Sequence, residues 1–442
     1  MNSEWVTSSL LEHYEVSSGL SKPGKDFGSG YPFLTFKDVF YNYFTPELLG
    51  NFVQSTQKER EGGSVLRGDV FLTRTSETMH ELGMSCVALR DYKDATFNGF
   101  CKRLRPKPDS DLLPEYVGYY LRSPKFRQAM LAFSTMSTRA SLNNEMIGRL
   151  EISFPSRNVQ TRISEILKSL DDRTVLLRET NTSLEAIAQA LFKSWFVDFD
   201  PVRAKMDGRV PEGMDETTAA LFPNGLEESE LGAVPRGWQV LPVGDAVDAI
   251  GGATPDTKNA DYWEPALHYW TTPKDLSGIA SPVLLRTERR LSNEGLAKIG
   301  SGLLPVGTLL LSSRAPIGYL ALAQVPMAIN QGYIAMPPGG LLPPLYMLFW
   351  CQQNMETIKG RANGSTFMEI SKRAFRPIPA IVPPQVVIEK FMDIAAALFE
   401  IVIENTRQFE TLTTLRDTLL PRLISGQLRL SDVEAQIEAI AA

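Results

Sequence analysis

Two long stretches of the chain repeat apolar residues at alternating spacings of three and four positions. The first reaches from about residue 160 to residue 195, and the second starts near residue 388. A seam sustained over about four heptads predicts a coiled-coil helix, because every seam residue returns to one helix face. The predicted seam and subunit-contact positions are Leu170, Leu177, Asn181, Leu184, Leu191, Trp195, Leu398, Asn405, Leu412 and Leu419.

The register of the two helices follows if they run antiparallel. Asn181 then faces position 402, within one turn of Asn405. Two asparagines in a seam can bond to each other and fix the register at some cost in stability. The second pattern crosses Pro421, so we expect that helix to kink or end in its final turn.

The rest of the chain repeats as well. Setting Pro155 against Pro383 aligns Leu150 with Ile378 and extends into the helices. Short apolar runs at residues 70–72, 152–154 and 309–311 predict buried strands, and residues 113–130 resemble a helix with a counterpart after residue 342. The predicted fold is therefore α+β, with two pseudo-repeated globular domains joined by two long antiparallel coiled-coil helices.

The repeat sets the predicted domain boundaries. Pro, Gly and acidic residues are enriched in one connecting segment, which indicates a linker. The predicted parts are a first globular domain at 1–155, a spacer helix at 156–200, a linker at 201–235, a second globular domain at 236–383, a spacer helix at 384–430 and a tail at 431–442.

Composition narrows the class of protein. The 442 residues carry 45 basic and 51 acidic side chains, a net charge of −6, but the acidic excess lies in the connecting and terminal segments. The charge therefore predicts weak non-specific DNA binding without excluding a DNA partner. The 3 cysteines form neither a disulfide framework nor a metal motif, and no apolar run is long enough for a membrane span. These features predict a cytoplasmic protein.

Catalytic motifs are weak. Residues 26–30, DFGSG, are similar in composition to the glycine loop of methyltransferases, but they run into Tyr31 and Pro32 rather than into a helix, so we interpret the glycines as loop residues. His13, His80 and His268 are scattered without cysteine partners, and no phosphate-binding glycine loop occurs. We predict no catalytic residue, no metal site and no cofactor in this chain.

Recognition of DNA is the remaining chemistry. Polar and basic residues occupy three equivalent places in both repeats. They lie in one long loop of each repeat, after the apolar run at 70–72 or 309–311, and before the last strand ahead of Pro155 or Pro383. Lys and Arg hold phosphates, while Arg, Asn and Ser can read base edges. The candidate DNA-binding residues are Lys22, Lys25, Tyr31, Lys37, Arg74, Arg139 and Asn143 in the first block, and Lys258, Asn259, Tyr262, Lys274, Arg314, Arg361, Asn363 and Ser365 in the second.

Several segments resemble a known family. Residues 251–255 (GGATP), 273–276 (PKDL) and 314–318 (RAPIG) resemble the target-recognition domain of type I restriction–modification specificity subunits. Residues 191–196 (LFKSWF) with 200–202 (DPV) resemble the central segment of that family, and 415–423 (LRDTLLPRL) its C-terminal segment. The first block departs in its opening, with GLSK at 19–22, so the two blocks should read different sequences.

The resemblance implies a specificity subunit that reads a split site in double-stranded DNA, with one target-recognition domain for each half-site. It implies two modification (methyltransferase) subunits and restriction/translocase subunits as partners, and no membrane. S-adenosylmethionine, ATP and Mg would be bound by those partners, and target adenines would be flipped into their pockets. Two alternatives stay open: a stand-alone DNA adenine methyltransferase, and a coiled-coil scaffold with no DNA role.

Overall fold

A computed structural model describes residues 5–76, 81–132, 140–364 and 368–428. The chain forms two units: unit 1 comprises Met1–Arg173 and Thr411–Ala442, and unit 2 comprises Thr174–Glu410. Each unit therefore contains one globular block and parts of two long helices. The predicted tail at 431–442 lies outside the described residues.

Unit 1 begins with a globular block of short elements. Its strands are β1 (Val6–Ser9), β2 (Tyr14–Ser18), β3 (Phe27–Leu34), β4 (Phe52–Val53), β5 (Val70–Thr73), β6 (Thr75–Ser76), β7 (Ser85–Val87), β8 (Thr96–Phe97), β9 (Cys101–Pro106), β10 (Ala140–Ser141) and β11 (Glu151–Phe154). Its helices are α1 (Leu10–His13), α2 (Phe36–Tyr41), α3 (Gln57–Gly62), α4 (Pro114–Tyr120), α5 (Pro124–Ala132), α6 (Asn144–Gly148) and the start of the first long helix, α7 (Arg157–Phe196).

The predicted buried strand β5 lies inside the largest sheet of unit 1. A four-stranded sheet has the order β2-β9-β5-β7, a three-stranded sheet the order β4-β3-β8, and β1 pairs antiparallel with β11. All four residues of β5 are buried, since this strand lies between two neighbours and under helices. The β1–β11 ribbon joins the beginning of the block to its last strand, which leads into α7.

Unit 2 has a matching set of elements. Its strands are β12 (Leu226–Ser229), β13 (Gly232–Pro235), β14 (Gln239–Pro242), β15 (His268–Thr271), β16 (Val283–Leu284), β17 (Arg289–Leu291), β18 (Leu309–Ser312), β19 (Leu320–Ala323), β20 (Met327–Ile329), β21 (Tyr333–Met336) and β22 (Pro379–Val382). Its helices are α8 (Asp200–Met206), α9 (Glu216–Ala220), α10 (Val243–Ala246), α11 (Asn293–Leu296), α12 (Pro344–Gln353), α13 (Met355–Gly360), α14 (Lys372–Phe375) and the second long helix, α15 (Gln385–Ile424).

The sheets of unit 2 repeat the plan of unit 1. A four-stranded sheet has the order β16-β19-β18-β21, a three-stranded sheet the order β17-β15-β20, and β14 pairs antiparallel with β22. The buried strand β18 takes the place of β5, and the β14–β22 ribbon takes the place of β1–β11. The predicted α+β repeat is confirmed, including the strands at 70–72, 152–154 and 309–311.

The two long helices have 40 residues each and pair antiparallel. In unit 2, Asn405 Nδ2 donates to Asn181 Oδ1 at 2.9 Å, and Asn181 Nδ2 lies 3.3 Å from the carbonyl oxygen of Val402. In unit 1, Arg416 Nη1 donates to Asp171 Oδ1 at 2.8 Å. The predicted direction of the helices and the asparagine contact are therefore confirmed.

The predicted seam is mostly buried. Leu170, Leu177, Asn181, Trp195 and Leu419 are at most 5% exposed. Five further positions are partly buried: Leu184, Leu191, Leu398, Asn405 and Leu412. Most of the hydrophobic seam residues therefore pack into the cores of the two units.

Three sequence expectations need correction. The segment 201–235 holds α8, α9 and the β12–β13 hairpin, because Val202, Phe222 and Val234 are buried in the core of unit 2 despite the Pro, Gly and acidic residues around them. Of the two outcomes expected at Pro421, a kink or an end, the end does not occur, because helix α15 continues through Pro421 to Ile424. The DFGSG glycines lie in strand β3, where Gly28 and Gly30 have positive φ and the pairing with β4 is irregular.

The helical stretch predicted at 113–130 is two helices, α4 and α5. Pro124 begins α5 because proline has no N–H to continue the hydrogen bonds of a preceding helix. Its counterpart is α12, whose side chains are buried from Leu345 to Cys351. Among the described residues, no helix is long and apolar enough to cross a membrane.

Candidate nucleic-acid interface

Lys274 lies on a short turn that follows β15 in unit 2. Asp275 shapes this turn, since its Oδ2 accepts the N–H of Thr272 at 2.8 Å. The side chain of Lys274 is 78% exposed and its Nζ lies 2.8 Å from Glu288 Oε2. The hydrogen bond from this amine raises the pKa of Lys274 and lowers that of Glu288. The turn thus presents a solvated cation at a fixed place.

Arg314 follows β18 and lines the same cleft as Lys274. The cleft has a volume of about 390 Å³, and its other lining residues include Thr272, Tyr319 and Asn330. Arg314 Nη1 is 3.6 Å from Glu369, whose backbone pairs with both Arg314 and Asn363. The structure therefore brings three predicted residues of unit 2 into one neighbourhood.

The other predicted residues of unit 2 are placed less favourably for reading DNA. Asn259 uses its side-chain oxygen to accept the N–H of Asp261 at 3.0 Å, and Tyr262 is half-buried beside Trp263. Lys258 and Arg361 are exposed. Ser365 lies outside the described residues.

In unit 1 the predicted loop residues sit around the irregular strand β3. Lys25 and Lys37 are exposed, while Lys22 Nζ lies 2.8 Å from Glu59 Oε1. Tyr31 is 37% exposed, and the guanidinium of Arg60 lies 3.7 Å from the centroid of its ring. Lys25, Lys37 and the ring of Tyr31 are thus open to solvent, while Lys22 is held by an ion pair.

Arg74 follows β5 as Arg314 follows β18. It lies near Lys102, whose pKa is lowered first by burial and then by the charge of Arg74. Lys102 Nζ donates to Asn144 Oδ1 at 3.1 Å. Asn143 caps α6, accepting the N–H of Met146 at 2.8 Å, so its side-chain oxygen is already used. Arg139 lies outside the described residues.

Sequence reasoning missed a basic strand edge in unit 2. The guanidinium of Arg289 lies 3.4 Å from the ring centroid of Trp263, and that of Arg290 lies 4.2 Å from the centroid of Tyr269. Both arginines are exposed on β17, close in sequence to Arg286. The signal was present as three arginines within residues 286–290. In unit 1, Arg60 and Lys102 were missed because neither lies at a position that the repeat comparison selected.

The described residues offer no group of three or more His, Cys, Asp and Glu side chains that could hold a metal. The three cysteines are buried, and burial raises the pKa of Cys101 to about 12, which opposes formation of a thiolate nucleophile. His13 and His268 bond to Ser8 and Asn293. The surface chemistry is thus cationic, aromatic and hydrogen-bonding, the combination that contacts phosphates and bases.

Two segments of the chain, residues 2–186 and 235–409, match the family model described as the Type I restriction modification DNA specificity domain. Over 366 residues, 73% of this chain and 79% of the relative, the chain is 27% identical to the Type I restriction enzyme HindI specificity subunit of Haemophilus influenzae. It is 34% identical over 187 residues, 41% of this chain and 42% of the relative, to the MjaIX specificity subunit of Methanocaldococcus jannaschii.

A solved structure, the S subunit of a type I restriction–modification system from M. genitalium, is similar with a TM-score of 0.56. The similarity covers 96% of each chain at 14% sequence identity. At that identity the likeness establishes a shared fold.

Proposed function

We propose that each unit of this protein reads one half of a split DNA site, on the premise that the chain belongs to the family of type I restriction–modification DNA specificity subunits. The observation that carries the proposal is the repeat itself. Each unit places an arginine within two residues of the end of its central buried strand and near a lysine. These are Arg74 near Lys102 in unit 1, and Arg314 near Lys274 in unit 2. Two similar but non-identical surfaces suit two half-sites of different sequence.

The partners in the proposal are modification subunits and restriction/translocase subunits. In unit 2 the long helices leave apolar side chains between 40% and 55% exposed, and exposed apolar surface marks sites of protein association. These side chains are Val175, Leu176, Ile187, Val386, Ile394 and Ile401. We assign these exposed positions, rather than the buried seam, to the docking of two methyltransferase subunits.

Catalysis in this proposal belongs to the partners, which would bind S-adenosylmethionine, ATP and Mg. The chain would hold DNA in register while an adenine is flipped into a partner's pocket. The test uses the isolated chain: we expect neither S-adenosylmethionine binding by calorimetry nor methyl transfer to DNA. Turnover without a modification subunit would overturn the non-catalytic role.

Recognition is tested by assembling the full chain with its modification subunits and mapping methylated adenines. Arg314→Gln should weaken DNA binding by about 1–3 kcal/mol and relax one half-site if Arg314 contacts a base. A phosphate contact would instead weaken binding to all sequences and flatten the salt dependence. Arg209→Gln is the control, because Arg209 is an exposed residue on a different segment with the same charge. If the complex that contains the wild-type chain methylates DNA without sequence selection, the proposed function is refuted.

A further inference from the structure

Three of the predicted DNA-contacting cations are each paired with a glutamate of their own unit. Lys274 is 2.8 Å from Glu288, Arg314 is 3.6 Å from Glu369, and Lys22 is 2.8 Å from Glu59. The side chains of the Lys274 and Arg314 pairs are between 36% and 78% exposed, and ion pairs this open to solvent add little to stability. Their recurrence at the proposed interface therefore calls for another explanation than folding.

The Lys274–Glu288 pair is organised by a single carboxylate. Asp275 Oδ2 accepts the N–H of Thr272 and shapes the turn that carries Lys274, while its Oδ1 accepts the N–H of Glu288 at 2.8 Å. One side chain thus fixes the backbone on both sides of the pair. Glu288 is held beside the lysine rather than meeting it by chance.

The Arg314–Glu369 pair is fixed by the backbone. Glu369 exchanges hydrogen bonds of 2.9 and 3.0 Å with Asn363, and the next residue, Ile370, donates to the carbonyl oxygen of Ser313 at 3.0 Å. These bonds set Glu369 directly opposite Arg314. The carboxylate therefore lies 3.6 Å from the guanidinium of Arg314, which lines one cleft together with Lys274.

The glutamate in unit 1 is fixed by a helix cap. Glu59 Oε2 accepts the N–H of Thr56 at 2.8 Å at the start of α3, which leaves Oε1 directed to Lys22. The hydrogen bond from Lys22, followed by that from Thr56, lowers the pKa of Glu59 to about 2. The carboxylate is consequently ionised at every pH at which the protein would meet DNA.

We propose that Glu59, Glu288 and Glu369 occupy the places of DNA phosphates in the free protein and thereby suppress sequence-independent binding. Each cation must exchange a carboxylate for a phosphate or a base acceptor before it contributes to binding. The inference rests on the proposed function, because it concerns the same candidate DNA-binding surface of each unit. It adds that built-in anions hold down the affinity of each of these surfaces for DNA.

The electrostatics set the size of the effect. Sequence-independent binding comes from cations that release counterions from DNA, with a slope of about −0.9 in log K against log salt for each neutralised phosphate. A cation that must first release a carboxylate contributes less to this slope. Unmasking one cation should steepen the slope by up to about 1 and strengthen binding to random-sequence DNA about threefold at low salt.

The experiment uses the full chain assembled with its modification subunits and a fluorescent random-sequence duplex at roughly 50–300 mM NaCl. Glu288→Gln and Glu369→Gln should each bind about threefold tighter with a steeper salt slope, and the double variant about tenfold tighter. Glu59→Gln should act similarly in unit 1, since glutamine keeps the helix cap. Glu228→Gln is the matched control, because Glu228 is exposed on the β12 hairpin strand and its loss changes the net charge equally.

A double-mutant cycle separates masking from general repulsion between carboxylates and DNA. If Glu288 acts through Lys274, then Glu288→Gln should have less than about a twofold effect in a Lys274→Gln background. The same gain in both backgrounds, or a gain equal to that of Glu228→Gln, would overturn the inference. Unchanged affinity and slope in a complex that still selects its sequence would overturn this inference alone. If the complex that contains the wild-type chain shows no sequence selection, both this inference and the proposed function are overturned.

Discussion

The helix pair is fastened by an ion pair in unit 1 and by amides and hydroxyls in unit 2. In unit 1, Asp171 accepts hydrogen bonds from Arg416 at 2.8 Å and from the Tyr119 hydroxyl at 2.8 Å. In unit 2, Asn181 bonds to Asn405, and its amide nitrogen lies within 3.3 Å of three acceptors: Ser281 Oγ, the Val402 carbonyl oxygen and Thr406 Oγ1. The amide has two protons, so it satisfies at most two of them at once.

The two polar contacts between the helices differ in how strongly they depend on salt and on geometry. A half-buried ion pair attracts over a distance and strengthens as water is excluded, but salt weakens it. An amide cluster has no net charge and depends on the position and orientation of every donor. The ion pair therefore mainly stabilises the pairing of the helices. The amide cluster mainly fixes their register, as polar seam residues do in coiled coils.

Both fastenings include a residue of the globular block, which ties each block to its own part of the helix pair. In unit 1 this residue is Tyr119 of α4, and the Arg416 guanidinium also lies 5.5 Å from the ring centroid of Tyr43. In unit 2 it is Ser281, which precedes β16. In each unit, one hydrogen-bonded cluster thus contributes both to helix pairing and to the docking of the block on the helices.

The largest effect should come from breaking the ion pair of unit 1. Arg416→Met removes the guanidinium that lies 2.8 Å from the carboxylate of Asp171, whose side chain is 22% exposed. Hydrogen bonds to charged groups contribute about 1.5–3 kcal/mol, so we expect the free energy of unfolding to fall by about 2 kcal/mol. Hydrogen exchange of the amides in residues 160–173 measures the change within unit 1.

Lys168→Met supplies the control on the same helix. Lys168 pairs with Asp172 at 2.6 Å, but both side chains are at least 50% exposed, so its removal should cost less than about 0.5 kcal/mol. In 1 M NaCl the effect of Arg416→Met should shrink, because the Debye length falls to about 3 Å. Equal effects for the two variants would show that the Asp171–Arg416 contact adds no more than a surface pair.

A smaller loss should follow from removing the amide in unit 2. Asn181→Ala deletes the bonds to both Asn405 and the hydroxyl cluster, so we expect a loss of about 1–2 kcal/mol. Asn405→Ala deletes one bond and should cost about half as much. Neither effect should respond to salt. Denaturant unfolding at about 0.1 and 1 M NaCl checks this, and a salt response like that of Arg416→Met would erase the distinction between the fastenings.

The sequence predicted the parts of these fastenings that obey helix periodicity. The 3–4 spacing located both helices and placed Asn181 near Asn405, because seam positions recur at fixed intervals. It did not predict Tyr119 or Ser281, which reach the seam from distant parts of the chain. Such contacts depend on the tertiary fold, and periodicity carries no information about them.

The sequence likewise predicted only part of the candidate interface. Repeat equivalence singled out Lys274 and Arg314, which lie in one cleft. It also selected Asn143 and Asn259, whose side-chain oxygens cap short helical turns, since asparagine before a helix is a common cap as well as a base reader. The glutamates opposite the cations were missed because Glu288 and Glu369 are brought to them by turns and bridges that no local pattern reveals.

The smallest effect concerns pH and Glu185, which lies one helical turn beyond Asn181. Burial raises the pKa of Glu185, while a hydrogen bond with Ser281 opposes this, and Oε1 has no hydrogen-bond partner among the described residues. Because the folded protein favours the protonated acid, its stability contribution is complete below the ordinary pKa of 4.5 and is lost as the pH rises through the raised value. At about pH 4, Glu185→Gln and the wild-type protein should therefore have the same free energy of unfolding. At about pH 8 the value for Glu185→Gln should be higher by about 0.5 kcal/mol, since a neutral amide is less costly to bury than a carboxylate. Denaturant unfolding of both proteins across this pH range measures the difference, with Glu179→Gln, an exposed position on the same helix, as the control. If Glu185→Gln raises the free energy of unfolding equally at both pH values, the carboxylate of Glu185 does not make the stability of unit 2 depend on pH.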